Sequence, residues 1–543
     1  LINMFRDGRR VEPGSQLTCD LCIIGAGAAG IALAREYMDG GAKVLLLESG
    51  GLDLDGETQG LYDGPQDGVP YPSTLDSSRL RYFGGTTNHW SAFCAPWKAS
   101  DFEKRDWMEN SGWPISLSDI SPYYKRAFDT CRLQTPGEWE WDSEYWAKKL
   151  GASDPLKGST FEARVSQQPV AKYDAEPFSF GRYFHSEFDR ENTVDVLLNA
   201  NVVSIDPTPD GRKIDGVKVA TLSGNRFSVR AGVYVLATGG VENARVMLAS
   251  GPKGGIGIGN EHGNVGRYFI DHIYPSPTAE FYPSESSAKK FRLYALSKIA
   301  GGRVFNHVGT PDDFLERERM NDSYIALRPQ LDEDYVDASE AEGVEALNEM
   351  LDSISQGKFP DRLGKKAIDL LSDADDVALS LFRKLYYGKI PITHYDCMVR
   401  VDPTPMRESR ISLAEELDPL GMPRARLTWA VHQNDRVNVR RLVEKFGEEV
   451  ARLGVGRVKV LFDPDKEFPE DTGIGWHHMG TTRMSEDPRN GVVDKNCKVH
   501  SIDNLYVAGS SVFATSGSGT PTMTIVALAL RLSDHLKNGW SLK

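Results

Sequence analysis

The sequence predicts an α/β protein: a Rossmann-type dinucleotide-binding domain, split along the chain, with an inserted α+β domain built on a larger, mainly antiparallel sheet. Three observations predict it. First, the run Gly25-Ala26-Gly27-Ala28-Ala29-Gly30 stands after an apolar run at 21–24. Helical spacing over 31–38 and a second apolar run at 43–47 follow, which is a βαβ unit. Second, far downstream, the apolar run 233–237 ends in Gly239 and Gly240. Third, a run at 504–507 precedes a helix expected over about 521–536. The pieces assign 1–98, 190–275 and 470–543 to the dinucleotide domain. They leave 99–189 and 276–469 to the inserted domain, with a helical insertion around 330–390.

Each element has a physical reason. Gly25 permits the tight turn, Gly27 lets the backbone approach a pyrophosphate, and Gly30 packs helix against strand. The N-terminus of the helix that follows the turn offers unpaired N–H groups and partial positive charge to phosphates, and Ala28 in the turn is a candidate contact. Glu48, next to Ser49, closes the second strand, where a carboxylate accepts hydrogen bonds from ribose hydroxyls. Cys19 and Cys22 form a C-x-x-C, but they stand in the strand that feeds the turn and read as buried strand positions. The six cysteines are unpatterned, so no disulfide framework is expected. From Thr193, DVLLNANVVSID, DGVKVATL and FSVRAGVYVLATGG read as a small antiparallel sheet returning to a core strand. Within it Val203 is a candidate cofactor contact. Residues 100–190 are rich in Trp, Tyr and Pro, while RISLAEE and RARLTWAV are strand-like and precede a helix over 435–453.

Further small-residue sites lie far from the first. RYFGGTTNHW supplies Gly84, Gly85, Thr86, Asn88 and His89, and LATGGVENAR supplies Ala237, Thr238 and Gly239. VAGSS supplies Gly509 and Ser510. Several close backbone approaches at distant points suit a long dinucleotide with a bulky ring. Lys plus Arg total 63 and Asp plus Glu 77, a net charge of −14, which argues against a nucleic-acid binder. No apolar run approaches the roughly 20 residues that span a bilayer. The start, LINMFRDGRR, lacks a long apolar stretch, so the expected location is cytoplasmic, or periplasmic if an upstream signal is removed or a partner subunit carries one. No cluster has metal-ligand spacing, and no metal is expected.

Together these segments resemble the glucose–methanol–choline (GMC) family of FAD enzymes, nearly end to end and most strongly at 19–51, 81–97, 231–275 and 472–537. GWHHMGTTRM and FATSGSGTPTMTIVALAL are similar to the sugar-oxidising branch, the pyranose oxidases and glycoside 3-oxidases or 3-dehydrogenases. The resemblance implies FAD as cofactor and a substrate cavity beneath the second sheet. It implies that His477, in the pattern H-x-x-G-T, is the base. Histidine suits that task because its ordinary pKa, about 6.5, lies near working pH. In an extended segment neighbours face opposite ways, so His478 points away. The family's second catalytic position, usually Asn or His, falls on Thr520, a departure. Threonine is no base at neutral pH and its hydroxyl is a weaker clamp than an amide. It is expected to hydrogen-bond the substrate hydroxyl, to cap the last helix with Pro521 at its first position, or both. That helix is expected to aim its N-terminus at the flavin, with contacts near Thr522 and Met523. His89 has the G-G-x-x-x-H spacing at which some relatives bond covalently to the flavin, and covalent or packing roles both stand. His272 and His394 are expected to be structural or at the cavity rim.

The expected activity is FAD-dependent oxidation of a secondary hydroxyl of a sugar or glycoside to a keto-sugar. The alternatives are oxidation of a non-sugar primary or aryl alcohol, and a catalytically weak flavoprotein subunit for electron transfer. Trp107, Trp113, Trp139, Trp141 and Trp146 suit sugar stacking, an aromatic substrate or plain packing. The electron acceptor, whether oxygen, quinone or protein, is left open. The acidic stretch 331–350 reads as a solvated helical face, or as a docking site for an electron acceptor or a partner subunit.

Overall fold

Two sheets organise the chain. The structure, a computed structural model, describes residues 5–540 apart from 134–142, 170–177, 191–192, 252–253, 300–301, 332–391, 467 and 469–471. In the first sheet Gln16–Ile24 lies centrally, parallel to Val44–Leu47 on one side and to Arg226–Leu236 on the other. Val194–Leu198 and then Phe5–Asp7 extend it beyond Val44–Leu47. Leu505–Val507 also runs parallel to Arg226–Leu236. Ile214–Ala220 and Asn201–Pro207 complete the far edge as an antiparallel meander. Leu21, Cys22, Ile23, Val44 and Leu46 are fully buried. Strands covered on both faces read as continuous apolar runs, which is why these pieces were visible in the sequence.

The second sheet is antiparallel. Its strands in spatial order are Leu296–Ile299, Gly302–Gly309, Ser323–Leu331, Ile392–Val401, Ala279–Pro283 and Gly456–Val460, and Glu162–Pro169 pairs with Gly302–Gly309. Helix Gln433–Arg452 covers it with Val439, Leu442, Val443, Phe446 and Val450, a stripe at helical spacing. Phe281, Phe291 and Tyr395 pack beneath that stripe.

The connecting segments distribute themselves differently from the expected boundaries. Helix Leu117–Thr130 places Ile120, Tyr124, Ala127 and Phe128 in the first core, and Phe180, Phe184 and Phe188 join them, whereas Trp146, Phe161 and Val165 belong to the second. The hairpin Arg410–Leu417 with Pro423–Trp429 pairs with Gln66–Gly68 and sends Ile411, Leu427 and Trp429 into the first core. Apolar periodicity shows that a face is buried but not against which sheet. The insertion around 330–390 and residues Trp139 and Trp141 fall largely or wholly outside the described residues. Trp113 and Trp146 are core residues, and Trp107 donates its ring N–H to the Met320 carbonyl, so these three pack rather than line a ligand site. All six cysteines are free thiols. Among the described residues no helix is long and apolar enough to cross a membrane, and no group of His, Cys, Asp or Glu could hold a metal ion.

Candidate active site

A cavity of about 780 Å³ lies between the two sheets. Its first-sheet wall is built from the glycine turn. Gly25 has φ +105°, and a Cβ there would stand 2.5 Å from the Ala237 carbonyl oxygen, so only glycine fits. A Cβ on Gly30 would fall on the Gly25 carbonyl, which makes Gly30 a packing residue rather than a wall residue. At Gly27 a Cβ would meet nothing within 4 Å: that space is the cradle a dinucleotide pyrophosphate requires. Glu48 is buried. Its Oε2 accepts from the Ala26 N–H at 2.9 Å, and its Oε1 accepts from the Gly50 N–H at 2.9 Å and the Ser49 hydroxyl at 3.1 Å. The carboxylate therefore braces the turn and offers its remaining lone pairs to a ribose.

The wall continues through Gly85, Thr86 and His89, then Ala237, Thr238 and Gly239, and closes with Gly509, Ser510, Pro521 and Thr522. Ala28 and Ser49 also line it. An open cradle, an acidic acceptor at one end and the N-terminus of helix Thr522–Gly539 at the other fit FAD. Besides Gly30, four expected contacts stand back from the wall. Val203 is replaced by its neighbour Val202, because alternate strand residues face opposite sides. Met523 is fully buried on the core face of its helix. Gly84 closes against Gly181. Asn88 pins the loop, its Oδ1 accepting from Ser179 Oγ and its Nδ2 donating to the Phe83 carbonyl. His89 lines the cavity and is largely exposed.

Opposite the turn, the loop 475–478 delivers two histidines of different fate. His478 is buried, with Nε2 2.9 Å from the Tyr71 hydroxyl, which donates to Asp271 Oδ2 at 2.5 Å. His477 lines the cavity, and its Nε2 has no partner among the described residues. Its backbone N–H donates to Asp271 Oδ1 at 2.8 Å. Its Nδ1 lies 2.9 Å from Nδ1 of the buried His272 and 3.2 Å from Nη2 of the buried Arg400. Burial, then Arg400, then His478 hold the His477 pKa well below the usual histidine value, so the ring is neutral at pH 7. Neutrality is the first requirement of a base. Burial pushes Asp271 up to about 7 against the bonds from Tyr71 and the His477 N–H.

Thr520 also lines the cavity, and its buried Oγ1 has no partner among the described residues. It does not cap the last helix: Pro521 occupies the N-cap position, without a side-chain bond. His394 sits apart on Ile392–Val401, stacked on Tyr282 and 3.5 Å from Asp396. His272 is no rim residue but part of the cluster, and its adjacency to Asp271 in GRYFIDH was the only visible signal. Arg400 and Tyr71 had none. Tyr274, Phe305, Tyr324 and Trp476 supply an aromatic wall. Trp476 is 52% exposed and holds φ +53°, strained for a non-glycine residue.

The sequence model of the GMC oxidoreductase family matches residues 405–529. The 2-methyl-1,2-propanediol dehydrogenase of Mycolicibacterium austroafricanum is 22% identical over 96% of each chain. The C-glycoside 3-oxidase of Arthrobacter globiformis is 33% identical over a shorter stretch, 23% of each chain. The crystal structure of pyridoxine 4-oxidase from Mesorbium loti shares the fold at a TM-score of 0.54 and 17% identity, covering 96% of this chain and 99% of that one. Residues 405–529 thus match the GMC oxidoreductase family, and the chain is an FAD-dependent oxidoreductase that acts on CH–OH groups.

Proposed function

We propose that this enzyme oxidises a secondary hydroxyl of a sugar or glycoside to a ketone, with His477 as the base. The observation that carries the chemistry is the neutral His477 ring, which lines the cavity, is tied at Nδ1 and has no partner at Nε2 among the described residues. Bound FAD supplies the hydride acceptor at N5. His477 Nε2 takes the hydroxyl proton. Thr520 Oγ1, lacking any other partner among the described residues, hydrogen-bonds the substrate oxygen. The N-terminus of helix Thr522–Gly539 places partial positive charge at the cavity wall, where negative charge develops. The sugar reading is supported by the aromatic wall, which suits stacking on a pyranose face, and by the matched stretch of a C-glycoside 3-oxidase. The same wall favours an aryl alcohol as the second reading.

A panel of glycosides and aryl alcohols, with dye reduction standing in for the acceptor, separates the two. NMR of the product identifies the oxidised carbon. His477→Ala is expected to slow flavin reduction by roughly 10²–10⁴-fold, and an unchanged rate would remove His477 from the mechanism. Acid precipitation decides the role of His89: a yellow pellet means a covalent bond, a yellow supernatant a packing role.

A further inference from the structure

We infer that His272 and Arg400 are positioning residues that fix the tautomer of His477, so that its Nε2 presents a lone pair to the cavity. The inference rests on reading His477 as the base.

One group in the chain of contacts cannot reverse its role. The Gly517 carbonyl only accepts, and His272 Nε2 lies 2.7 Å from it, so that nitrogen carries the hydrogen. Burial, then Arg400, hold the His272 pKa well below the usual histidine value, so its neutral ring has one N–H and Nδ1 is a lone pair. The guanidinium, which only donates, agrees: Arg400 Nη2 is 2.7 Å from the same Nδ1. His477 Nδ1 approaches that lone pair at 2.9 Å and must bring the N–H. The remaining nitrogen, Nε2, is then the acceptor, as a base requires.

One contact competes. Arg400 Nη2 is also 3.2 Å from His477 Nδ1, and an N–H aimed there would demand a lone pair. Distance and count decide against it. Nη2 has two hydrogens, and two nearer acceptors use them, His272 Nδ1 at 2.7 Å and the Gly519 carbonyl at 3.0 Å. Nη1 is turned to the Tyr324 hydroxyl at 3.1 Å. Nor is the charge of Arg400 spent on an ion pair. Arg79, Arg81, Arg105, Arg164 and Arg245 are equally buried and each meets a carboxylate. Arg400 has no ion-pair partner among the described residues and faces ring nitrogens instead. The charged and titratable groups around His477 are Arg400, His272, His478 and Asp271, and none but His272 reverses the direction of the chain. Three separate elements meet here: the segment before Ile273–Tyr274, the strand Ile392–Val401 and the loop at 517–519.

Nitrogen-15 NMR of ring-labelled holoenzyme tests the assignment directly, with the two rings identified by the signals lost in His272→Gln and His477→Gln. The expected spectrum shows an Nδ1–H tautomer for His477 and an Nε2–H tautomer for His272. An Nε2–H tautomer at His477 overturns the inference whatever the substrate proves to be. Kinetics supply the second arm. His272→Leu removes donor and acceptor together and should slow flavin reduction roughly 10–100-fold, the usual cost of losing a supporting partner, at unchanged KM. His272→Gln keeps an amide donor and acceptor and should recover most of the rate. Equal losses in both variants, or none in His272→Leu, overturn the positioning role. If His272→Leu does not fold, the spectra alone decide. If His477→Ala retains flavin reduction, the base reading fails while the tautomers remain measurable.

Discussion

The proton affinities of the cluster predict an unusual pH profile. His477 is neutral well below pH 6.5, so it sets no acid limb at the ordinary histidine value. Asp271, raised by burial to about 7, does ionise in that range, and its Oδ1 receives the His477 backbone N–H. Its negative charge therefore arrives at the backbone of the residue proposed to accept the proton. Stopped-flow flavin reduction should speed up as pH rises through about 7, and Asp271→Asn should flatten the profile. A limb that keeps its midpoint in that variant assigns it to another group. Thr520→Val tests the neighbouring hydroxyl at nearly constant shape. One hydrogen bond is worth about 0.5–1.5 kcal/mol, so kcat/KM should fall roughly 2–10-fold, while the melting temperature holds or rises because a buried, unpartnered hydroxyl is gone. A loss of stability without a kinetic effect would make Thr520 a packing residue. His477 and Thr520 were legible in sequence because each belongs to a short motif of fixed spacing. Arg400 was not, since its position depends on which strand of a distant sheet passes the cavity. Asp271 and His272 were visible as neighbours, but nothing local says which ring nitrogen meets which carbonyl.

The loop at 514–519, which carries Gly517 and leads into Thr520, is held by the second sheet rather than by its own. Asp402 Oδ1 accepts from the Ser516 N–H at 3.0 Å and its hydroxyl at 2.7 Å, and Asp322 Oδ2 accepts the Ser518 N–H at 3.0 Å. Each carboxylate is tied in turn to a buried arginine: Arg164 binds Asp322 through two nitrogens at 2.7 and 2.8 Å, and Arg105 binds Asp402 at 2.7 Å. Asp322→Ala should cost roughly 3–5 kcal/mol, because it strands the Arg164 charge in the interior, and flavin reduction should fall as Gly517 loses its seat. Asp312→Ala is the control. Lys98 pairs with Asp322 at 3.1 Å and with Asp312 at 2.9 Å, but Asp312 does so from a half-exposed position, where a pair is worth about 0–1 kcal/mol. Calorimetry that found the two variants equally stable would contradict the clamp. At this scale the sequence was readable in proportion to how local each cause is. The parallel strands of the first sheet and the strand character of the hairpin Arg410–Leu417 and Pro423–Trp429 follow from runs and alternation. That the hairpin covers the first core depends on its pairing with Gln66–Gly68, more than 300 residues away, which no window of sequence contains.

Across the molecule the cavity is the joint between two cores. The first-sheet side presents backbone and small residues, as a dinucleotide demands, while the second presents Tyr274, Tyr324, Met398 and Arg400. The first half was legible because close backbone approach leaves glycines at fixed spacing. The second was not, because a substrate wall is a set of side chains gathered from strands far apart in sequence. This arrangement makes FAD a structural link as well as a reactant. Free FAD at about 100 times its Kd adds about 2.7 kcal/mol to the stability of a protein that binds it only when folded. Stripping the cofactor should therefore lower the melting temperature by a concentration-dependent amount. The distribution of the loss is the sharper measurement. If the cores are joined through the site, hydrogen exchange in the stripped protein should quicken at the turn 25–30 and also on the far wall, in Ser323–Leu331 and Ile392–Val401. Loss of protection confined to the first sheet would mean that the second core is organised independently of the cofactor. The hydrogen bonds from Arg400 to His272 and Gly519 argue for the joint outcome, since they tie a strand of the second sheet to two segments that meet at the flavin wall.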